Sequence, residues 1–415
     1  MKRFAACCAL LVLATACSTK AADEENGSSG SDGVRTGVGV TDKTITLGVM
    51  TDKTGVFKSL ATAITRGNEL WVKDLNAAGG VCGRQVELEV VDHGYKADTA
   101  KTLYPQLEPK VLGFLQLTGS PIVAALAGDV QSDKVTTTPA SWSSELLSNP
   151  YVMVVGTTYD IEMIDGLSYL QKEGLIKDGD TVGHIYVDGE YGANGLRGAR
   201  YYAEQHNLNL RDVKITSTDT DLTNVVTSLK GDGVKAILLT TTPGQTGSAL
   251  AANKALGLDV PVLANNPAFD PVLHEGPAAK ALDKLYVAAS TVPYSADLPK
   301  AEEIATAYKE AGYAEPPNAG VPYGYAVAEV WGSILKTACD NKDLTRDGIL
   351  AAMQQTTSAD TGDLVATLDY SKPGAPATRQ VYIARPDAAA EGGLRSAQPL
   401  FEADEAKTYK APHEK

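Results

Sequence analysis

Histidine and cysteine are scarce, five of each in 415 residues. His93, His184, His206, His274 and His413 stand far apart, and Cys-x-x-Cys does not occur, which excludes a zinc-scaffolded fold. Positive charge is also short. Lys and Arg number 37 against 51 Asp and Glu, a formal charge of −14 with no basic stripe, so phosphate backbones are repelled and nucleic acid is not an expected partner. Catalytic signatures are missing. There is no Gly-x-Ser-x-Gly elbow, no phosphate loop ending in Gly-Lys-Ser/Thr, and no Gly-x-Gly-x-x-Gly after a strand. Gly192, Gly195 and Gly198 recur at the wrong spacing for a dinucleotide fingerprint and suit helix packing. No acidic pair stands out for acid–base work, so a binding protein is expected rather than an enzyme, with no cofactor and no metal. Beyond the first sixteen residues, no apolar run reaches the ~20 residues that a bilayer demands.

What is present is ordinary globular material: 43% hydrophobic, with 39 glycines and 20 prolines. The length implies about two to three domains. Met1-Lys2-Arg3 precedes a short apolar run, Phe4 to Ala16, the layout of a secretory signal over residues 1–16. Ala14-Thr15-Ala16-Cys17 resembles the lipobox of bacterial lipoproteins, which implies lipidation at Cys17, although Ala14 stands where that motif prefers leucine. Residues 17–40, containing Glu24-Glu25-Asn26-Gly27-Ser28-Ser29-Gly30-Ser31, read as an anchor and flexible tether. Export leaves Cys82 and Cys339 in an oxidising compartment. A disulfide and two separate buried thiols are both compatible with that.

From Thr44 onward, strand-like and helical stretches alternate. Strands are expected at Ile45–Met50, Val86–Val91, Val111–Leu115, Thr136–Pro139 and Tyr151–Val155. Helices are expected over 62–77, 97–107 and after Pro121, the first stopped by Gly79-Gly80. The rhythm restarts at Asp160, with strands at Thr181–Val187, Val213–Thr216, Ala236–Thr240 and Val260–Leu263 between helices over 160–171, 193–205, 222–230 and 247–256. A further strand is expected at Leu285–Ala289, helices near 301–312 and 323–339, and a β-rich stretch over 364–384. Alternation of this kind predicts parallel sheets covered on both faces, in two α/β lobes.

Four segments resemble the branched-chain amino-acid type of periplasmic substrate-binding protein, the receptors of ABC importers. They are Ile45-Thr46-Leu47-Gly48-Val49, the helix Arg66 to Ala77 ending in Asn76-Ala77-Ala78-Gly79-Gly80-Val81, Val187-Asp188-Gly189-Glu190-Tyr191-Gly192, and Pro322-Tyr323-Gly324-Tyr325-Ala326-Val327-Ala328. The resemblance spans residues 44–385 and implies a type I periplasmic-binding-protein fold, two mostly parallel sheets flanked by helices and joined by three hinge crossings. By that analogy lobe I takes 41–157 and 290–352, lobe II takes 158–289 and 353–390, and 391–415 forms a C-terminal tail. Cys82 and Cys339 then share lobe I, which favours their disulfide.

Ligands in such sheets meet the carboxyl ends of strands. The loop holding Thr118 and Gly119 offers a helix start to a carboxylate. The loop Ala140-Ser141-Trp142 offers backbone groups, a hydroxyl and an apolar wall. Tyr191 matches the family's ligand-contacting tyrosine. Two positions depart from the pattern. Asn266 stands where amino-acid receptors place the carboxylate that pairs the ammonium, with Asp270 four residues on, and Leu60 replaces an aromatic. The resemblance implies a monomer, held to the membrane only through its lipid. It further implies capture of a small polar or amphipathic solute, such as an amino acid or amide, for ABC permease subunits. A sensory module would use the same clamp.

Overall fold

The computed structural model describes residues 28–30 and 32–415; the expected signal sequence over 1–16 and the expected lipidation site Cys17 lie outside them. Two sheets form the frame. The first carries strands β3 (Thr44–Thr51), β4 (Gln85–Asp92), β5 (Gly113–Thr118) and β6 (Thr137–Ala140), all parallel, in the order β4-β3-β5-β6. Before it, β1 (Ser28–Ser29) and β2 (Arg35–Thr36) join β12 (Asp343–Leu344) in a small sheet of their own. The second large sheet has the order β14-β13-β11-β10-β9-β7-β8. Its parallel part comprises β7 (Thr181–Val187), β8 (Asn209–Ile215), β9 (Ala236–Thr240), β10 (Val262–Asn265) and β11 (Leu285–Ala289). Antiparallel β13 (Val381–Pro386) and β14 (Leu394–Phe401) finish it. Central strands such as β5 and β9 are buried along their whole length, which is why they read as unbroken apolar runs instead of alternating.

Helices cover both sheets. In α1 (Lys58–Ala77), Ala61, Ile64, Thr65, Asn68 and Trp71 return every three to four residues and form the buried face. α2 (Ala97–Leu107) and α3 (Ser120–Ser132) complete that lobe, together with the later α8 (Pro299–Ala311), α9 (Gly320–Asp340) and α10 (Arg346–Gln355). α1 and α9 pack backbone to backbone: a Cβ on Gly324 would lie 2.0 Å from Ile64 O, and one on Gly67 2.2 Å from Val321 O. The second lobe carries α4 (Tyr159–Lys172), α5 (Glu190–Gln205), α6 (Thr223–Gly231), α7 (Pro243–Ala255) and α11 (Asp404–Thr408). Cys82 and Cys339 are joined by a disulfide, their Cα atoms 5.9 Å apart across 257 residues of sequence.

The chain passes between the sheets three times: from β6 to α4, from β11 to α8, and from α10 to β13. The crossings bind one another. Thr157 N donates to Ser290 Oγ at 3.1 Å, Thr157 Oγ1 to Thr378 O at 3.1 Å, and Tyr370 OH to Val154 O at 3.1 Å.

Several expectations need correction. Tyr151–Val155 makes a single bridge, Val152 to Thr137, and is no strand; it is apolar because it is buried where the chain leaves the first lobe. The third strand runs from Gly113 to Thr118 instead of Val111 to Leu115, and α5 begins at Glu190, placing Tyr191 in a helix. The β-rich stretch over 364–384 is a strand only from Val381, with isolated bridges at Val365 and Leu368. Residues 391–415, set apart above as a tail, supply β14 and α11, and Arg379 pairs with Glu414. The tether also ends early. Val34 is buried in the first core, and the guanidinium of Arg84, 1% exposed, pairs with Asp32 at 2.6 Å.

Candidate ligand-binding cleft

Between the lobes the carboxyl ends of β4, β5, β6 and β10 converge with the starts of α1, α3, α4 and α5. At the end of β5 the chain turns through Gly119, whose φ of +103° and close approach to the Tyr95 ring leave no room for a Cβ. Gly119 N donates to Ala140 O at 3.1 Å, tying the two first-lobe loops together. α3 then starts at Ser120. Pro121 has no amide hydrogen, and the amides of Ile122 and Val123 donate to Gly119 O, which leaves Ser120 N–H as the first-turn amide without a helical acceptor.

A cavity of about 20 Å³, room for about one water, sits at this point and is lined from both lobes. Leu60, Thr118, Gly119, Ala140, Trp142 and Tyr191 all border it. Phe57, Ala61, Ile64, Tyr95, Ser120, Tyr159 and Pro267 complete its walls, and no lining residue is charged. Its aromatics support one another. The Tyr159 and Tyr191 rings lie 4.6 Å apart, Trp142 and Tyr323 5.0 Å, and Phe57 and Tyr95 5.0 Å. Trp142 Nε1 donates to Val155 O at 2.9 Å, so the indole is pinned to the first crossing. Tyr191 OH reaches Thr241 O at 3.3 Å and Asn265 Oδ1 at 3.4 Å. Burial pushes the phenols of Tyr159 and Tyr191 upward, so both stay neutral donors.

Two predicted residues stand elsewhere. Ser141 does not border the cavity; it is fully buried, with its hydroxyl 2.7 Å from Ser120 Oγ. Asn266 borders a second cavity, of about 30 Å³, together with Asp270 and Leu60. Asp270 there accepts from Val272 N at 2.9 Å, capping a short helical turn. A larger hollow of about 400 Å³ opens between residues 147–154 and 370–377, and none of the predicted site residues lines it.

Sequence reasoning missed Phe57, Tyr95 and Tyr159. The strand-end rule that found Thr118 would also have found Tyr95, three residues past β4. It missed Glu162 as well. This side chain of α4 is fully buried beside the second crossing, with Oε1 3.0 Å from Ser290 Oγ and Oε2 without a hydrogen-bond partner. Desolvation pushes its carboxyl well above the usual range, against the pull of Ser290 and the Asn266 amide. Among the described residues no group of His, Cys, Asp and Glu is arranged to hold a metal, and no helix is long and apolar enough to cross a membrane.

Comparison with known proteins places this geometry. Residues 44–392 match the periplasmic binding protein family. The chain belongs to that family. It shares 41% identity with a fatty acid ABC transporter substrate-binding protein from Thermomonospora curvata, over 93% of this chain and 99% of that one, at a TM-score of 0.89. A branched-chain amino-acid ABC transporter structure from Thermus thermophilus with bound valine superposes at 0.77, with 19% identity over 88% of this chain and 98% of that one. A leucine-binding protein from Thermotoga maritima superposes at 0.73, with 18% identity over 87% and 99% of the two chains. No match was found among curated proteins. The resemblance read from the sequence is therefore right in family and in fold: a type I, two-lobed periplasmic binding protein, a solute-binding component of ABC transporters.

Proposed function

We propose that this binding protein captures an amphipathic carboxylic acid, of the fatty-acid class, and delivers it to an ABC permease. The uncharged lining of the first cavity carries this reading. An α-ammonium buried against Leu60, Trp142 and Tyr191 would have no carboxylate among the residues that line the cavity, and burying an unpaired charge is costly. A carboxyl group fares better. Thr118, Ser120, Tyr159 and Tyr191 supply hydroxyl donors, the Ser120 amide adds one from the helix start, and the remaining surface suits hydrocarbon. The Thermomonospora relative, named for fatty acid, supports the same class.

Glu162 favours a second reading. If its buried carboxyl lost its proton to solvent and paired as carboxylate with a cationic head group, the ligand would be an amino acid after all. Thermal-shift titration of soluble protein lacking Cys17 separates the two, because a ligand bound only to the native state raises the midpoint. Butyrate, octanoate or palmitate should raise it, and valine and leucine should not. Stabilisation by valine or leucine alone, abolished in Glu162→Gln, overturns the first reading.

The protein works as a monomer, tethered outside the membrane by lipid on Cys17. Cys17→Ser should release it into the soluble fraction; retention at the membrane would refute that anchor.

A further inference from the structure

Leu60, in the first turn of α1, borders both inter-lobe cavities. Pro267 lines the first and its neighbour Asn266 the second, so little more than one side chain and one peptide unit separates them. The second cavity differs in chemistry. Phe269, Val287, Ala289, Pro293 and Ala384 give it apolar walls. Two of its polar neighbours are engaged elsewhere, while Asn266 and Asp270, both partly exposed, border it as well. Asn318 Nδ2 donates to Ser59 Oγ at 3.1 Å and its Oδ1 accepts from Gly320 N at 2.8 Å, while Thr291 Oγ1 donates to Leu364 O at 3.1 Å. The hydroxyl donors therefore cluster at one end, in the first cavity, and most of the far wall presents hydrocarbon, with the Asp270 carboxylate beside it.

Resting on the acid reading above, we propose that the second cavity receives the distal end of the ligand's hydrocarbon chain, with Leu60 as the partition that sets the chain length the cleft accepts. At about 20 and 30 Å³ the two spaces each hold little more than a water. A long chain must therefore swing Leu60 aside and part the lobes slightly. A short acid also parts the lobes to enter, and then occupies the first cavity alone. Small residues at 289, 319 and 384 keep the far space open, and enlarging one of them closes it without touching the hydroxyl end.

Butyrate, octanoate and palmitate affinities, measured calorimetrically on wild type, Leu60→Ala, Ala319→Leu and Ala384→Leu, test this. Burying a methylene is worth about fourfold in affinity. In wild type the gain should run on from butyrate to octanoate. Ala319→Leu should leave butyrate within about twofold and weaken the longest acid that wild type binds by tenfold or more; Ala384→Leu repeats the test from the other lobe should the first variant fold poorly. Leu60→Ala should shift preference toward palmitate by a similar factor. Acid binding that ignores all three substitutions overturns the second cavity as a chain site and leaves the acid reading standing. Failure of wild type to bind any acid overturns both.

Discussion

The hydroxyls of Ser120 and Ser141 lie 2.7 Å apart, one from the first residue of α3 and the other from the loop after β6. Only Ser120 borders the cavity. Ser141 holds it in place. Ser120→Ala should therefore weaken ligand binding by about two- to tenfold, the worth of one hydrogen bond, whereas Ser141→Ala should stay within about twofold and act mainly on stability. Fluorescence titration, with Trp142 in the cavity wall as reporter, reads both. The reverse order would mean that Ser141 reaches the ligand itself.

Tyr191 brings its ring to the cleft from α5, while its hydroxyl has only long contacts, 3.3 and 3.4 Å, within the protein. A ligand acceptor can compete for that proton at little cost. Tyr191→Phe is expected to keep the fold and to weaken binding by up to about tenfold. Unchanged affinity would leave Tyr191 a wall and nothing more.

The Cys82–Cys339 bridge ties the turn after α1 to the end of α9. Denatured, unreduced protein lacking Cys17 should show no free thiol. Cys82→Ser with Cys339→Ser should cost about 2–4 kcal/mol in urea unfolding. Two titratable thiols per chain would remove the bridge from the account.

His184 gives stability a pH dependence. The ring is fully buried, with Nε2 2.9 Å from Thr240 Oγ1 and Nδ1 unpartnered. Desolvation, aided by the charge of Arg200, lowers its pKa from 6.5 to about 3. Between those values the unfolded chain takes up a proton that the folded chain refuses. The stabilisation is thus complete above pH 6.5 and falls toward pH 3, by up to about 1.4 kcal/mol per pH unit. Glu162 and Asp165 act in the opposite sense. Burial raises both carboxyls, so their contribution is intact in acid and shrinks as pH rises above the unfolded carboxyl values. His184→Gln should flatten the acid limb of the urea-midpoint profile. An unaltered limb would assign it to other groups.

How much of this could be read in advance depended on the residue. Thr181–Val187, Ala236–Thr240 and Leu285–Ala289 have the expected boundaries because a buried parallel strand is a short apolar run ended by a loop. β14, Leu394–Phe401, escaped notice: it contains Pro399, is only half-buried, and pairs with β13 through shifted register. Only tertiary contact makes it a strand. The cleft was partly legible for the same reason. Strand ends located the loops holding Thr118 and Ala140. Which of two serines borders the cavity depends on side-chain direction, which spacing does not encode. Glu162 was hidden because an acidic residue on a helix ordinarily faces water.

The fit of α1 against α9 bears on biosynthesis. Residues that touch backbone to backbone, such as Gly67 and Val321, are separated by most of the polypeptide. A nascent chain that has delivered β3, α1 and the next three strands still lacks the helix that seals their outer face. The first lobe is begun early and completed only after most of the second has been made, and the second is completed last, by β13, β14 and α11. Contacts this distant in sequence slow folding, and they mean that a chain cut at any one crossing leaves at least one lobe without a piece it needs. The two jaws of the clamp are inherited together, as parts of one cooperative object.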